Sequence, residues 1–177
     1  MRVVIDGDSV ALYRGDNWPH HFREHYQPDF FEVLSNNSVT TLDVIERLRK
    51  VIDMTPDIYF LHLGQWASKN SDWHEFNCDM EYIVSKLHME GIMVCLITPP
   101  PFTPDNYWTA NSIRDIARKY NTALLDMHKF FIEDGVPKSW FKDEDIVSHL
   151  NETGAKGFIP YFEKIIYPRK FELKKEL

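Results

Sequence analysis

Cysteine is scarce: the 177 residues include two, Cys78 and Cys95. They form no CxxC pair and are too few for a disulfide scaffold, which points to a reducing compartment. Long apolar runs are missing too, and none approaches the length that spans a bilayer. After Met1 the chain passes directly into Val3-Val4-Ile5, without the basic start, apolar stretch and small-residue cleavage site of a signal peptide. The expectation is a cytoplasmic protein with no membrane partner. Basic charge is in deficit, with 20 Lys and Arg against 27 Asp and Glu and a net charge of −7. A broad nucleic-acid-binding face has the opposite balance, so nucleic acid is not an expected partner. Internal repeats, low-complexity tracts and linkers are absent as well.

What is present suits one globular domain. Hydrophobic residues make up 44% of the chain, and the 12 Phe and 5 Trp promise a core that needs neither disulfide nor structural metal. Residues 1–168 read as that domain, and 169–177 as a charged tail of mixed sign. Short β-branched or apolar runs at Arg2–Asp6, Phe30–Leu34, Asp57–Leu63, Ile92–Thr98 and Thr122–Leu125 read as strands. Helical spacing lies between them. Thr40-x-x-Asp43 resembles a capping box ahead of Leu42, Ile45, Leu48 and Ile52. Phe76, Met80, Ile83, Val84 and Leu87 line a helix that Gly91 ends, and Ile113, Ile116, Ala117 and Tyr120 mark another. A last helix starts near Asn151, and Pro160 should kink or split it. The alternation predicts a three-layer α/β/α domain with a five-stranded parallel sheet. In such sheets the ligand crevice lies beyond the carboxyl ends of the strands. Here that groups the loops at Asp6–Ser9, Gly64–Asn70 and Thr98–Trp108.

Two segments carry candidate chemistry. Gly7-Asp8-Ser9 leaves the first strand and can present a hydroxyl to the crevice, although locally it also reads as a turn with a capping serine. Asp145-Ile146-Val147-Ser148-His149-Leu150-Asn151 places an acid and a histidine just before the last helix. A serine near the start and a histidine near the end of such a domain can meet at the same strand ends. They would supply the nucleophile, base and orienting acid of acyl transfer.

At these residues the chain resembles the SGNH (GDSL-type) hydrolase superfamily. Gly7-Asp8-Ser9 is similar to its first block, and Ser148-His149-Leu150-Asn151-x-x-Gly154 to its last. The Thr98-Pro99-Pro100-Pro101 strand exit and the stretch Asn121–Phe131 are similar to its connecting segments. The resemblance implies a serine esterase or acylhydrolase that forms an acyl-enzyme on Ser9, with His149 as base, Asp145 as orienting acid and no cofactor or metal. It also implies an oxyanion hole from the N–H groups of Ser9 and Asn36, completed by Trp66, Gln65 or Asn70. The implied partner is a small-molecule ester, with an acylated carbohydrate as one candidate. Three positions depart from the family pattern. Asn36 stands where a glycine is usual, and Trp66 where an asparagine donor is usual. Ile146 lies three residues before the histidine, the usual place of the acid, with Asp145 one residue further back and Asp143 further still.

Other readings remain at this stage. Val3-Val4-Ile5-Asp6-Gly7-Asp8-Ser9-Val10 is also similar to the opening motif of haloacid-dehalogenase-type phosphatases, where Asp6 and Asp8 would hold Mg²⁺. A catalytically weak or silent domain that keeps the fold and binds a glycan or protein is a third. Trp18, Trp66, Trp108 and Trp140 fall outside the strands; they would either form a substrate platform or seal the core beneath long loops. His20, His21 and His25 are potential ligands with no acid at a familiar metal-site spacing, and read as part of a solvated helix or loop. His74 and Cys78 can share a helix face.

Overall fold

Val3, Val4 and Ile5 are fully buried, as are Tyr59, Phe60, Cys95, Leu96 and Ile97. Strands this apolar on both faces belong inside a parallel sheet covered on both sides. The computed structural model, which describes residues 1–67, 71–101, 106–132, 135, 137–143 and 146–167, shows that arrangement. Strands β1 (Arg2–Gly7), β2 (Phe30–Val33), β3 (Ile58–His62), β4 (Met93–Ile97) and β5 (Ala123–Leu125) form a five-stranded sheet in the order β2-β1-β3-β4-β5. All its pairings are parallel. The five expected strands are all present, and their order is the flavodoxin-like one, which reverses between β1 and β3.

Alternate side chains feed two cores. Val4, Tyr59, Leu61, Val94 and Leu96 pack with α2 (Thr41–Asp53), α3 (Trp73–Met89) and α4 (Asn106–Lys119). Val3, Ile5, Phe60, Cys95 and Ile97 pack on the other face with Trp18, Phe22, Phe158 and Phe162. These last come from α1 (Trp18–Tyr26), α6 (Glu152–Phe158) and the 3-10 turn Ile159–Phe162, while Met127 of α5 (Met127–Ile132) joins the same core. No helix among the described residues is long and apolar enough to cross a membrane. The tail expected from residue 169 lies outside the described residues.

Local chemistry explains most boundaries. Thr40 and Asp43 form the expected capping box, with the Asp43 N–H donating to Thr40 Oγ1 at 3.3 Å and the Thr40 N–H to Asp43 Oδ2 at 2.7 Å. The buried stripe of α2 is Val44, Leu48 and Val51, while Leu42 is 53% exposed. Leu42 was expected on that stripe, but six residues at 100° each carry it well away from Leu48. Gly91 follows α3 with φ +73°. Asn151 caps α6, and Pro160 does split the last helix, opening the 3-10 turn that leads to α7 (Glu163–Ile166).

Two features differ from the sequence reading. The segment with three histidines, read as a solvated helix or loop, is a helix packed into the core: α1 is buried through Trp18, His21 and Phe22 and ends at Gln27 in the left-handed region. The stretch before the last helix, where no strand was expected, forms an antiparallel pair, β6 (Phe141–Asp143) with β7 (Ile146–Leu150), in the register Phe141↔Leu150 and Asp143↔Ile146.

Candidate active site

The exit of β1 is pressed against β3. Gly7 has φ +147° and pairs with His62, and a Cβ at Gly7 would stand 2.0 Å from the His62 carbonyl oxygen. Only glycine fits there without moving backbone. The next residue continues the contact, the Asp8 N–H donating to the His62 carbonyl at 3.2 Å. Asp8 then caps the 3-10 turn Ser9–Ala11, its Oδ1 accepting the Val10 N–H at 3.3 Å. Its Oδ2 accepts the N–H groups of Gln65 at 3.1 Å and Trp66 at 3.4 Å. One carboxylate thus ties the loop after β1 to the loop after β3, across the point where the strand order reverses. Asp8 is 2% exposed. Burial raises its pKa to about 6, against the opposing pull of the N–H donors.

That turn presents Ser9. Its Oγ lies 2.9 Å from Nε2 of His149, 140 residues away in sequence. His149 stands on β7, where Asn151 fixes the strand exit. The Asn151 Nδ2 amide donates to the carbonyls of Ser139 at 2.6 Å and Phe141 at 3.0 Å, and its Oδ1 accepts the Gly154 N–H at 3.0 Å. Gly154 is needed beneath the hairpin, since a Cβ there would meet the Trp140 carbonyl oxygen at 2.3 Å. Burial, followed by the positive charges of Lys142 and Arg14, holds the His149 pKa below its ordinary value, while Asp16 works the other way. The imidazole is therefore neutral at pH 7 and able to accept a proton. Asp145, the expected orienting acid, lies outside the described residues, and Asp143 ends β6.

The expected oxyanion donors divide. The Ser9 N–H opens the 3-10 turn and has no acceptor among the described residues, whereas the Val10 and Ala11 N–H groups are taken by Asp8. The Asn36 N–H donates to the Gly7 carbonyl at 3.2 Å, continuing the β1–β2 ladder beyond the Leu34-to-Ile5 bond at 2.8 Å. It is engaged with the sheet, and the residue of this turn with positive φ is Ser38, at +57°. The exposed Asn36 side chain accepts the Asn37 N–H on Oδ1 at 2.8 Å, which leaves its Nδ2 amide as the donor. Asn70 lies outside the described residues.

The tryptophans do not share a rim. Trp18 is 1% exposed, stacks on Phe162 with centroids 5.0 Å apart, and donates its indole N–H to Nδ1 of His62 at 3.2 Å. It is a core residue, which corrects its expected place on the crevice wall. Trp108 is half-buried and meets Phe76 edge-on at 5.4 Å, at the border of the core. Trp140 is half-buried against Gly154 and Gly157. Trp66 is 40% exposed beside Asp8, and Trp73 at the start of α3 is more exposed still.

Two residues near the site were missed. His62 is fully buried at the end of β3, and desolvation lowers its pKa to about 3, so it is neutral beneath His149. Its position inside an apolar run was the available signal. Arg47 was the other. Its guanidinium grips the buried Asp6 carboxylate through two bonds, Nε to Oδ2 at 2.9 Å and Nη2 to Oδ1 at 2.5 Å. The Tyr59 hydroxyl adds a bond to Oδ2 at 2.9 Å and the Gly7 N–H one to Oδ1 at 2.7 Å. Both Asp6 oxygens are committed to protein donors and face an arginine, an environment that opposes a divalent cation between Asp6 and Asp8.

No protein-family model and no curated protein sequence matches this chain. Solved structures do. An acetyl xylan esterase superposes with a TM-score of 0.78 at 19% identity, over 94% of this chain and 100% of the other. A lipase/acylhydrolase from Enterococcus faecalis gives 0.75 at 18% identity, over 96% and 97%. A lipolytic protein of the G-D-S-L family from Desulfitobacterium hafniense gives 0.73 at 21% identity, over 93% and 98%. The strand order, the two helical layers and these superpositions agree: the fold of this chain is that of the SGNH, or GDSL-type, hydrolases.

Proposed function

We propose that this chain is a serine hydrolase of the SGNH type that cleaves carboxylic esters through an acyl-enzyme on Ser9. The 2.9 Å contact between Ser9 Oγ and His149 Nε2 carries the reading. That distance lets the imidazole remove the hydroxyl proton as Oγ attacks the ester carbonyl. His149 then gives the proton to the leaving alcohol; in deacylation it takes a proton from the water that attacks the acyl-enzyme and returns it to Ser9 Oγ as the acid leaves. Asp145 is assigned the orientation of the imidazole from the sequence resemblance. The Ser9 N–H is the first oxyanion donor. With the Asn36 N–H bonded to Gly7, the second comes from a side chain: the Asn36 amide, the Gln65 amide or the Trp66 indole N–H. The acetyl xylan esterase among the similar structures supports an acylated carbohydrate as substrate, and exposed Trp66 offers a ring face for a sugar.

A fluorophosphonate probe tests the nucleophile. Wild-type protein should label covalently, Ser9→Ala should not, and His149→Gln should label far more slowly. Failure of the folded wild-type protein to label removes the assignment. A silent binding domain is the second reading, favoured by Trp66 at the position of the family's asparagine donor, whose loss typically costs on the order of 10²–10³ in turnover. Turnover of any ester that depends on His149 excludes it.

A further inference from the structure

The geometry points to a binding site for a borderline divalent transition-metal ion, of the zinc class, on α1, formed by His20, His21 and Glu24. The sequence offers the histidines without an obvious acid, and the helix supplies one. Glu24 lies three residues after His21 and four after His20, so all three side chains fall on adjoining parts of one surface. Its Oε1 is 3.4 Å from His20 Nε2, and its Oε2 is 3.4 Å from His21 Nδ1. One donor atom from each residue lies within 4.8 Å of the other two, and among the described residues no other group of three His, Cys, Asp or Glu does so.

The two contacts run to different oxygens of Glu24, and both are longer than a charge-assisted N–H···O⁻ bond of about 2.7–2.9 Å. They are close to the roughly 3.4 Å that separates two donors of a tetrahedral zinc shell, so the spacing admits one ion between the imidazoles and the carboxylate. His21 is the buried member of the set: its side chain is 7% exposed, and its Nδ1 is the ring nitrogen that faces Glu24. With the proton on Nε2, which has no partner among the described residues, the Nδ1 lone pair faces a carboxylate oxygen, a repulsive pairing that a cation between them converts into ligation.

The surroundings suit a cation with a vacant coordination position. His21 and Glu24 also line an open cavity of about 290 Å³ with His25, Lys156 and Ile159. Lys156, the positive charge on that wall, is paired with Glu152 at 2.6 Å. Water or a small anion can therefore complete the shell, and the donor set of two imidazoles and one carboxylate selects zinc, cobalt, nickel or copper over magnesium.

The test is titration of the untagged full chain with Zn²⁺ in a calorimeter, and with Co²⁺ by visible absorption. Wild-type protein should bind one equivalent of Zn²⁺ and show the d–d bands of a four- or five-coordinate cobalt site. Glu24→Gln and His20→Asn change side chains that are not buried, so circular dichroism should confirm the fold, while Zn²⁺ affinity falls at least about tenfold in each. His74→Asn, on α3, should bind as the wild type does. Absence of stoichiometric Zn²⁺ binding, or equal affinity in wild type, Glu24→Gln and His20→Asn, overturns the site.

Discussion

Asp8 should make the protein more stable as the pH falls from neutrality, the reverse of the usual effect of a native carboxylate. Burial raises its folded-state pKa to about 6, against 3.8 for the unfolded chain. Between those values the native state holds a proton on Asp8 that the unfolded state has lost, so stability grows as pH decreases. For one group, integrating from pH 7.5 to 4.5 gives a gain of about 2 kcal/mol. The other titrating groups, His149 included, contribute to the same curve. Asp8→Asn removes this one titration, and the wild-type minus variant difference isolates it. The measurement is urea unfolding at half-unit pH steps, with ΔG extrapolated to water. The expected difference is nearly level above pH 7 and rises in favour of the wild type below it. A difference that stays flat, or rises toward alkaline pH, would mean that the backbone N–H groups of Val10, Gln65 and Trp66 outweigh desolvation, and the reasoning fails.

Removing Arg47 leaves the Asp6 carboxylate buried with only the Tyr59 hydroxyl and Gly7 N–H, so Arg47→Met should cost about 3–5 kcal/mol by denaturant unfolding. The double variant Asp6→Asn/Arg47→Met should recover part of that loss; a single variant within 1 kcal/mol of wild type would show the pair to be solvated. Asn151→Ala deletes the cap of α6 and both bonds to the β6 approach, and should destabilise by about 2 kcal/mol or more. Because burial and two cations lower the His149 pKa, the acid limb of kcat/KM on an aryl acetate should have its midpoint below 6.5. A midpoint above that value would contradict the neutral base.

Much of the fold was legible because the strands are apolar on both faces. Val3-Val4-Ile5 and the Ile58–His62 run stand out at any pairing register, and the helices of one layer have long stripes such as Phe76 to Leu87. The opposite layer was harder. Helix α1 has nine residues and three histidines, and its burial comes from aromatic contacts with Phe60 and Phe162 that depend on distant segments. The hairpin β6–β7 was hidden for a related reason. Phe141-Lys142-Asp143 is short and mostly polar, and its pairing with Ile146–Leu150 is decided by tertiary placement.

The site divides along the same line. Ser9 and His149 could be read as residues because their roles belong to side chains of definite chemistry at strand ends. The oxyanion assignment depended on backbone N–H groups, and register decides where those go. Once Ile5 pairs with Val33, the ladder continues through Leu34 to Asn36, and the Asn36 N–H reaches the Gly7 carbonyl. No composition rule reveals that one-residue phase. Trp66 follows a different logic. Its backbone N–H is drawn to Asp8, which holds the loop whatever side chain stands there. An amide donor can therefore be exchanged for an indole at this position without losing that backbone bond. Under the proposed mechanism, such an exchange trades hydrogen-bonding capacity for an exposed aromatic face, and substrate preference is where its consequence should appear.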